Sequence, residues 1–195
     1  MTLTIDHLVR FLSGYRRREM SDPRLKKSAV LILFYPKGGE LTVLLTKRTE
    51  DVEHHKGQIS FPGGSMDDDD DTLIVTALRE SEEEIGLPRS IVRVLGVFDD
   101  YETPSGFVIT PVIGCVEILP PLAPHVAEVA EILEVPVSMF LNPDNERIEQ
   151  RIRHSVVLDV YFYRHGGHEI WGATAAILRS FLFSLRQSLE GDAAR

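Results

Sequence analysis

Residues 62–87 read PGGSMDDDDDTLIVTALRESEEEIGL, with two adjacent glycines, five consecutive aspartates and then a run that has the composition of an α-helix. The run predicts a helix from about Thr72 to Ile85, because Gly86 and Pro88 follow it in an order typical of a helix end. The stretch therefore predicts an acidic loop that leads into an acidic helix.

One face of this predicted helix carries three carboxylates. At about 100° of rotation per residue, Glu83 and Glu84 fall within about 60° of Glu80, whereas Leu78 and Ile85 lie on the opposite, packing side. Carboxylates at this spacing repel one another by a few tenths of a kcal/mol per pair. Because Mg²⁺ and Mn²⁺ prefer carboxylate oxygens, the face predicts a site for a hard divalent cation. The alternative is a solvated acidic surface, which the preceding glycines disfavour because glycine lets the backbone approach a ligand closely.

Strands surround this helix in the sequence. The β-prone runs SAVLILFYP and LTVLLTKR flank the turn KGGE and predict a hairpin. Further strand-like segments are IVRVLGVFD, GFVITPVIGCVEIL, EILEVPV and VVLDVYFYR, and ATAAILRSFLFSLRQSL has the apolar spacing of a closing helix. Strands around a central helix, with a second helix at the end, predict a mixed α/β layer fold.

The N-terminal segment predicts a short packing helix. Its apolar residues recur at helical spacing, at Leu8, Phe11, Leu12 and Tyr15. The basic cluster Arg16, Arg17 and Arg18 follows, and we expect it to form a solvated helix end instead of a phosphate site.

Composition limits the class of protein. A chain of 195 residues with 43% hydrophobic and 26% charged residues is long enough to bury one sizeable core. Its net charge of −9 argues against nucleic-acid binding, and an anionic substrate would need locally concentrated basic residues. Cys115 is the single cysteine, which excludes an internal disulfide and fits a protein of a reducing compartment. Its side chain is expected to be buried as a small hydrophobic group. The N-terminus has no apolar segment long enough for a signal peptide or membrane span, so we expect a cytoplasmic protein without a membrane partner.

The quoted stretch resembles the Nudix box, in which a glycine and a glutamate precede Arg-Glu-x-x-Glu-Glu-x-Gly. The second half of that signature matches in full, at Arg79, Glu80, Glu83, Glu84 and Gly86. The first half departs from it, since Ser65 stands where the glycine belongs and Asp71 where the first glutamate belongs.

Both departures are similar to those of one subfamily, the Nudix enzymes that resemble coenzyme A pyrophosphatases. In that subfamily the loop after Gly-Gly is one residue longer and carries aspartates three apart, which Asp67 and Asp70 supply. The other aspartates, Asp68, Asp69 and Asp71, are then expected to be solvated or helix-capping.

An upstream signature of the same subfamily is similar to LLTKRTEDVEHHKGQISFPGG. It matches at Leu44, Leu45, Thr46, Arg48, Gly57, Phe61, Pro62, Gly63 and Gly64. Thr49 replaces a small serine or alanine and Glu53 replaces an arginine. The segments DDYETPSGFVITPVIG and HEIWGATAAIL also resemble this subfamily. We therefore expect an N-terminal helical extension (1–25), a Nudix hydrolase domain (26–182) and the end of the C-terminal helix with a tail (183–195).

The resemblance implies an α/β/α sandwich with a mixed central sheet, and hydrolysis of a nucleoside diphosphate linked to another group. Mg²⁺ or Mn²⁺ is the implied cofactor, with Glu80 and Glu84 as direct ligands and Glu83 as a ligand, a water-mediated ligand or a base. For coenzyme A or its derivatives the products would be 3′,5′-ADP and 4′-phosphopantetheine. The expected partner is thus a small nucleotide, and a homodimer is expected by analogy alone.

Other residues are candidates for binding the substrate or for acting as the catalytic base. Arg48 and Lys56 are candidates for binding a substrate phosphate, and the alternative is that each is an ordinary surface charge. The backbone at Gly63 and Gly64 is expected to approach the substrate. Glu128 and Glu131 lie where a loop leads into a strand, and we take Glu128 as a possible catalytic base. Exposed acids are the alternative interpretation of both.

Three further side chains have weaker functional interpretations. His54 and His55 are adjacent and lack a neighbouring cysteine, which disfavours zinc. Trp171 is expected to pack in the core, with stacking on adenine as the alternative.

Two other functions stay open. A Nudix site could act on ADP-ribose, a dinucleoside polyphosphate or another nucleoside diphosphate derivative, and Glu53 favours this because glutamate cannot contact a phosphate as arginine does. A Nudix-like sensor could bind a nucleotide without cleaving it, but a binding module gains nothing from the repulsive acids Glu80, Glu83 and Glu84.

Overall fold

The computed structural model describes residues 2–50, 56–153 and 156–193. Within these ranges the α-helices are α1 (Ile5–Ser13), α2 (Leu73–Ile85), α3 (Val137–Leu141) and α4 (Gly172–Ala193). The strands are β1 (Lys26–Lys37), β2 (Glu40–Arg48), β3 (Ile59–Ser60), β4 (Gly63–Ser65), β5 (Arg93–Val97), β6 (Tyr101–Glu102), β7 (Phe107–Cys115), β8 (Val129–Pro136), β9 (Glu146–Arg153), β10 (Val156–His165) and β11 (His168–Trp171).

The central sheet is mixed, as predicted. Its main path runs β3-β2-β1-β7-β5, while β4 also pairs with β1, β6 with β7 and β8 with β2. Strands β1 and β7 are parallel, and the other pairs are antiparallel. The pairing of β4 with residues 28–30 of β1 brings the Gly-Gly segment to the middle of the sheet.

Side chains alternate along β1 between two buried clusters. Ile32 and Phe34 face a core that includes residues of α1 and α4, whereas Leu31 and Leu33 face a core that includes residues of α2. Helices therefore cover both faces of the sheet, which confirms the predicted α/β/α sandwich. Cys115 is buried at the end of β7, as expected.

The predicted hairpin and the acidic helix are confirmed. The turn between β1 and β2 has positive φ at Gly38 and Gly39, which suits glycine. Helix α2 begins after Thr72, whose hydroxyl accepts a hydrogen bond from the N–H of Val75, and ends at Gly86 with a φ of +67°. The cap is therefore Thr72, and a capping role for Asp71 is wrong.

The N-terminal helix packs as predicted, but the basic cluster after it is not simply a solvated helix end. Leu8 and Leu12 of α1 are buried in the core. Arg17 donates a hydrogen bond to the buried carboxylate of Asp100 at 2.9 Å, and Arg18 pairs with Asp99. Because buried carboxylates need charged or hydrogen-bonding partners, these two ion pairs hold the segment after α1 against the sheet.

A second sheet, in the order β11-β10-β9, packs beside the first. Tyr163 of β10 and Ile170 of β11 are buried in the core next to α4. Helix α4 continues past residue 182, with Leu185 and Leu189 also buried. Among the described residues, no helix combines the length and apolarity needed to cross a membrane.

Candidate active site

The carboxylates of α2 lie directly against the Gly-Gly strand β4. A Cβ atom added to Gly64 would lie 2.4 Å from the carboxylate carbon of Glu80. A Cβ atom added to Gly63 would lie 2.3 Å from the carbonyl oxygen of Ala29 in β1, and Gly63 has a φ of +152°. The N–H of Gly63 donates a hydrogen bond of 3.3 Å to Glu84 Oε2. The close approach that the glycines allow is thus to β1 and to the two glutamates.

Glu84 is the most deeply buried of the three signature glutamates. Its side chain is 6% exposed, whereas that of Glu83 is 59% exposed. Burial raises the pKa of Glu84 to about 7, against the smaller lowering effects of the Gly63 N–H and the Arg48 guanidinium. Burial also raises the pKa of Glu80. The alternative interpretation, a solvated acidic surface, is therefore wrong for Glu84, because β4 packs over it.

Arg79 connects the helix to the aspartate loop. Its guanidinium donates to Asp70 at 2.9 Å and to Glu83 at 2.9 Å, and lies 3.0 Å from the carboxylate of Glu80. It also contacts Asp67 at 3.4 Å. One arginine thus offsets repulsion among four carboxylates, and Glu83 is held by Arg79 while Glu80 and Glu84 lie against β4.

The run of five aspartates divides into a buried anchor and an exposed remainder. Asp70 is buried and accepts hydrogen bonds from the N–H of Asp67, the hydroxyl of Thr76 and the guanidinium of Arg79. The hydrogen bonds from Arg79, above all, hold the pKa of Asp70 well below its ordinary value. The other four aspartates are exposed, as expected for Asp68, Asp69 and Asp71.

Replacing Asp70 with asparagine is expected to lower the free energy of unfolding by about 3 kcal/mol, because a buried ion pair loses one partner. The stabilisation exists above the pKa of an unfolded aspartate, about 3.9, and is lost as the pH falls through the depressed folded-state pKa. Urea denaturation at neutral pH measures the loss. Asp69→Asn is the matched control, and an equal effect of both substitutions would contradict the anchoring role of Asp70.

Two predicted residues outside the helix lie near Glu84. Arg48 ends β2, and its Nη1 lies 3.7 Å from Glu84 Oε1. Glu128 precedes β8, and its charge contributes to the raised pKa of Glu84. The carbonyl of Glu128 also accepts a hydrogen bond from the N–H of Thr49 at 2.9 Å. The ends of β2 and the start of β8 therefore bring Arg48 and Glu128 towards Glu84.

The other predicted residues are less close to these carboxylates or lie outside the structure. Lys56 is exposed in the turn before β3. Glu131 pairs with His168 at 3.3 Å, and Trp171 stacks on Phe162 with ring centroids 5.9 Å apart, consistent with packing. The expectations for Glu53, His54 and His55 fall outside the described residues.

The loop that precedes Glu128 closes the end of α2, a contact that the sequence did not predict. The N–H of His125 donates to the carbonyl of Glu84 at 2.8 Å, and its side chain lies 3.4 Å from the carboxylate of Glu128. The N–H of Ala123 donates to the carbonyl of Ile85 at 2.9 Å. These bonds satisfy the last carbonyls of the helix and hold Glu128 at the site.

The chemistry of the donor set fits a hard divalent cation. The carboxylates of Glu84, which is buried, and Glu80, which is partly buried, have raised pKa values because burial disfavours their charge, and a cation beside them would reverse that effect. In the part of the chain that is described, no three His, Cys, Asp or Glu side chains already form a metal cluster. Glu80 and Glu84 could therefore supply two carboxylate ligands, and water and substrate oxygens would have to supply the others.

Comparisons with known proteins agree with this geometry. A sequence model of the NUDIX domain matches residues 25–155. A protein of Photorhabdus laumondii, described as the uncharacterised Nudix hydrolase NudL, is 41% identical over 140 residues, covering 70% of this chain and 73% of its own. A protein of the same description from Cronobacter sakazakii is 36% identical over 192 residues, covering 94% of this chain and 95% of its own.

Solved structures give the same result. The crystal structure of a Nudix hydrolase from M. smegmatis, RenU, superposes with a TM-score of 0.51 at 26% identity, over 58% of this chain and 72% of that chain. Residues 25–155, which the family model matches, include the central sheet, the Gly-Gly strand and the helix that carries the three glutamates. The chain therefore belongs to the Nudix hydrolase family, as an enzyme of the pyrophosphohydrolase class.

Proposed function

We propose that this Nudix hydrolase cleaves the diphosphate bond of coenzyme A or its derivatives, releasing 3′,5′-ADP and 4′-phosphopantetheine. The observation that carries the proposal is the anchored aspartate loop. Asp67 and Asp70, the pair that resembles the coenzyme A subfamily, both contact Arg79 beside the signature glutamates. This contact between the longer loop and Arg79 supports the proposal.

Arg48, at the end of β2, supports a substrate with phosphate groups. In the described structure, the buried Nε of Arg48 has no hydrogen-bond partner, and its nearest ion-pair distance, 3.7 Å to Glu84, is long. The side chain of Arg48 is 28% exposed, and a phosphate oxygen that reached it would supply an acceptor for the guanidinium. We assign Arg48, with the exposed Lys56, to substrate phosphate, and the backbone at Gly63 and Gly64 to the floor of the same site.

We assign Glu80 and Glu84 as direct metal ligands, with Glu83 as a third, water-mediated ligand. When bound, Mg²⁺ or Mn²⁺ supplies charge neutralisation at the phosphoryl oxygens and a more acidic water. We assign Glu84 or Glu128 to accept the proton of the attacking water, with Glu83 as the alternative base. Arg79 orients Glu80 and Glu83 by direct contact.

The reaction requires one water for each diphosphate cleaved. The water oxygen forms a bond to phosphorus, the P–O bond of the diphosphate bridge breaks, and the proton goes to the carboxylate base. The two phosphate products carry more negative charge than the substrate, so the net charge of −9 favours their release.

The experiment compares the magnesium-dependent turnover of coenzyme A with that of ADP-ribose and identifies the products by mass. We expect coenzyme A to have the higher kcat/KM and to give 3′,5′-ADP. Protein with Glu84→Gln, purified in the same way, controls for contaminating hydrolases. A clear preference for ADP-ribose would overturn the assignment in favour of the second candidate, which Glu53 in the signature loop keeps open.

A further inference from the structure

Thr49 joins three segments at the edge of the candidate active site. It follows Arg48, the last residue of β2. Its N–H donates to the carbonyl of Glu128 at 2.9 Å, and its hydroxyl donates to the carbonyl of Ala127 at 2.9 Å. Its own carbonyl accepts a hydrogen bond of 3.4 Å from the N–H of Gly57. All three polar groups of Thr49 therefore connect the end of β2 with neighbouring segments.

The ladder between β2 and β8 changes register just before Thr49. Arg48 pairs with Val129 where a regular ladder would pair it with Ala130, so β8 has one extra residue at this point. Such β-bulges interrupt a ladder and are common beside active sites, where they re-aim side chains. Beyond the bulge, the two hydrogen bonds that Thr49 donates take the place of the ladder.

The other end of the same loop is fixed to α2. The N–H of His125 donates to the carbonyl of Glu84 at 2.8 Å. The carbonyl of His125 accepts hydrogen bonds from the N–H groups of Glu128 and Val129, each at 2.9 Å. Residues 125–129 therefore form a tight turn that is attached to α2 at one end and to Thr49 at the other.

The carboxylate of Glu128 depends on this turn for its position. The side chain is 45% exposed, so burial does not fix it. The carboxylate lies 3.4 Å from Nδ1 of His125, which belongs to the same turn. A displacement of the turn would therefore move the carboxylate relative to Glu84, and a shift of about 1 Å in a reacting group can lower a rate about a hundredfold.

We propose that Thr49 is a positioning residue, whose hydroxyl holds the turn of residues 125–129 so that the carboxylate of Glu128 can accept the proton of the attacking water. This rests on the proposed diphosphate hydrolysis and selects Glu128 as its base. The N–H and the carbonyl of Thr49 can form their hydrogen bonds with other side chains at this position, so the hydroxyl is the contribution of threonine itself. Serine, which the upstream signature also allows at this position, keeps that hydroxyl.

The first test compares Thr49→Val, which removes the hydroxyl and keeps the branched shape, with Thr49→Ser. We expect Thr49→Val to lower kcat about tenfold with little change in KM, and Thr49→Ser to restore most of the rate. The unfolding temperatures should stay within about 3 °C of wild type, because the hydrogen bond is exposed and water can replace it. A wild-type kcat for Thr49→Val, or an equal loss in both variants, would overturn the proposal.

A double-mutant cycle with Glu128→Gln separates the positioning of this carboxylate from a general loosening of the site. Glu128→Gln alone should lower kcat about a hundredfold. In that background Thr49→Val should lower kcat no further, because the carboxylate that the hydroxyl positions is gone. A further tenfold loss, or a wild-type rate for Glu128→Gln, would overturn the proposal. The kinetics use coenzyme A or ADP-ribose, whichever the wild type hydrolyses, so an error in the substrate does not affect this outcome.

Amide hydrogen exchange tests the turn without any turnover. We expect the N–H groups of Glu128 and Val129 to exchange faster in Thr49→Val than in wild type and in Thr49→Ser. Unchanged exchange would overturn the proposal even for an active enzyme. If the wild type hydrolysed neither substrate, the proposed function would be wrong, and the exchange rates alone would decide whether the hydroxyl holds the turn.

Discussion

Replacing Glu84 with glutamine is expected to lower kcat about a thousandfold while leaving the fold intact, since acid–base and ligand carboxylates contribute about 10²–10⁴ to rates. Glutamine has nearly the same shape, and its amide can accept the 3.3 Å hydrogen bond from the Gly63 N–H. It lacks the charge that a divalent cation and a proton both require. Steady-state kinetics with coenzyme A and Mg²⁺ measure the loss.

Glu82→Gln is the matched control for this substitution. Glu82 lies on the same helix but pairs with Arg89 at 2.6 Å, away from β4. Its replacement should leave kcat unchanged. If Glu84→Gln kept the wild-type rate, or if Glu82→Gln lost as much, then the assignment of the buried carboxylate to the chemistry would be wrong.

Glu84→Gln should also change how the free energy of unfolding depends on pH in metal-free protein. A folded-state pKa raised from 4.5 to about 7 means that the favourable contribution of Glu84 is present below pH 4.5 and lost as the pH rises through about 7. The loss is about 3 kcal/mol. With a chelator present, Glu84→Gln should therefore be more stable than wild type at pH 8 and similar at pH 4.5. Added Mg²⁺ should stabilise wild type alone.

Replacing Gly64 with alanine is expected to reduce activity about a hundredfold with little loss of stability, because a shift of about 1 Å in a reacting group can cost that much. The new methyl group would lie within 2.6 Å of all three carboxylate atoms of Glu80. These atoms end a flexible side chain, so the carboxylate can move aside cheaply. Kinetics and thermal unfolding measured on one preparation separate the two effects.

Gly63→Ala is the informative comparison, because its new methyl group meets backbone instead of a side chain. The nearest atoms are the carbonyl oxygen of Ala29 and the Cα of Val30, at 2.3 and 2.6 Å. We therefore expect Gly63→Ala to lower the unfolding temperature strongly and Gly64→Ala to spare it. An equal fall in the unfolding temperature for both substitutions would show that the carboxylate of Glu80 does not move aside to make room for the methyl group.

The local elements of the site could be predicted from the sequence. Helix α2 follows from its cap, its glycine stop and its spacing, all of which are short-range signals. The helical wheel also predicts that Glu80 and Glu84 are neighbours. It cannot predict that Glu84 is buried, because that depends on β4 pairing with β1, a contact between segments about 35 residues apart that no local pattern encodes.

The run of aspartates shows the same division. Five identical residues give no periodicity, so the resemblance to a subfamily could select Asp67 and Asp70 but not the hydrogen bonds of Asp70 to Thr76 and Arg79. Strand β9 was missed for another reason. Its sequence ERIEQRIR alternates charged and apolar or amide residues with little hydrophobicity, and its pairing with β10 supplies the order that its composition lacks.

The contact between Gly64 and Glu80 makes two positions sixteen residues apart depend on each other. Any side chain at position 64 requires the carboxylate at position 80 to retreat, as an aspartate would by one methylene group. A change at either position alone is therefore expected to reduce activity. The lack of a side chain at Gly64 is thus as necessary to the site as the carboxylate of Glu80. A library that varies either position alone is expected to contain mostly enzymes of low activity.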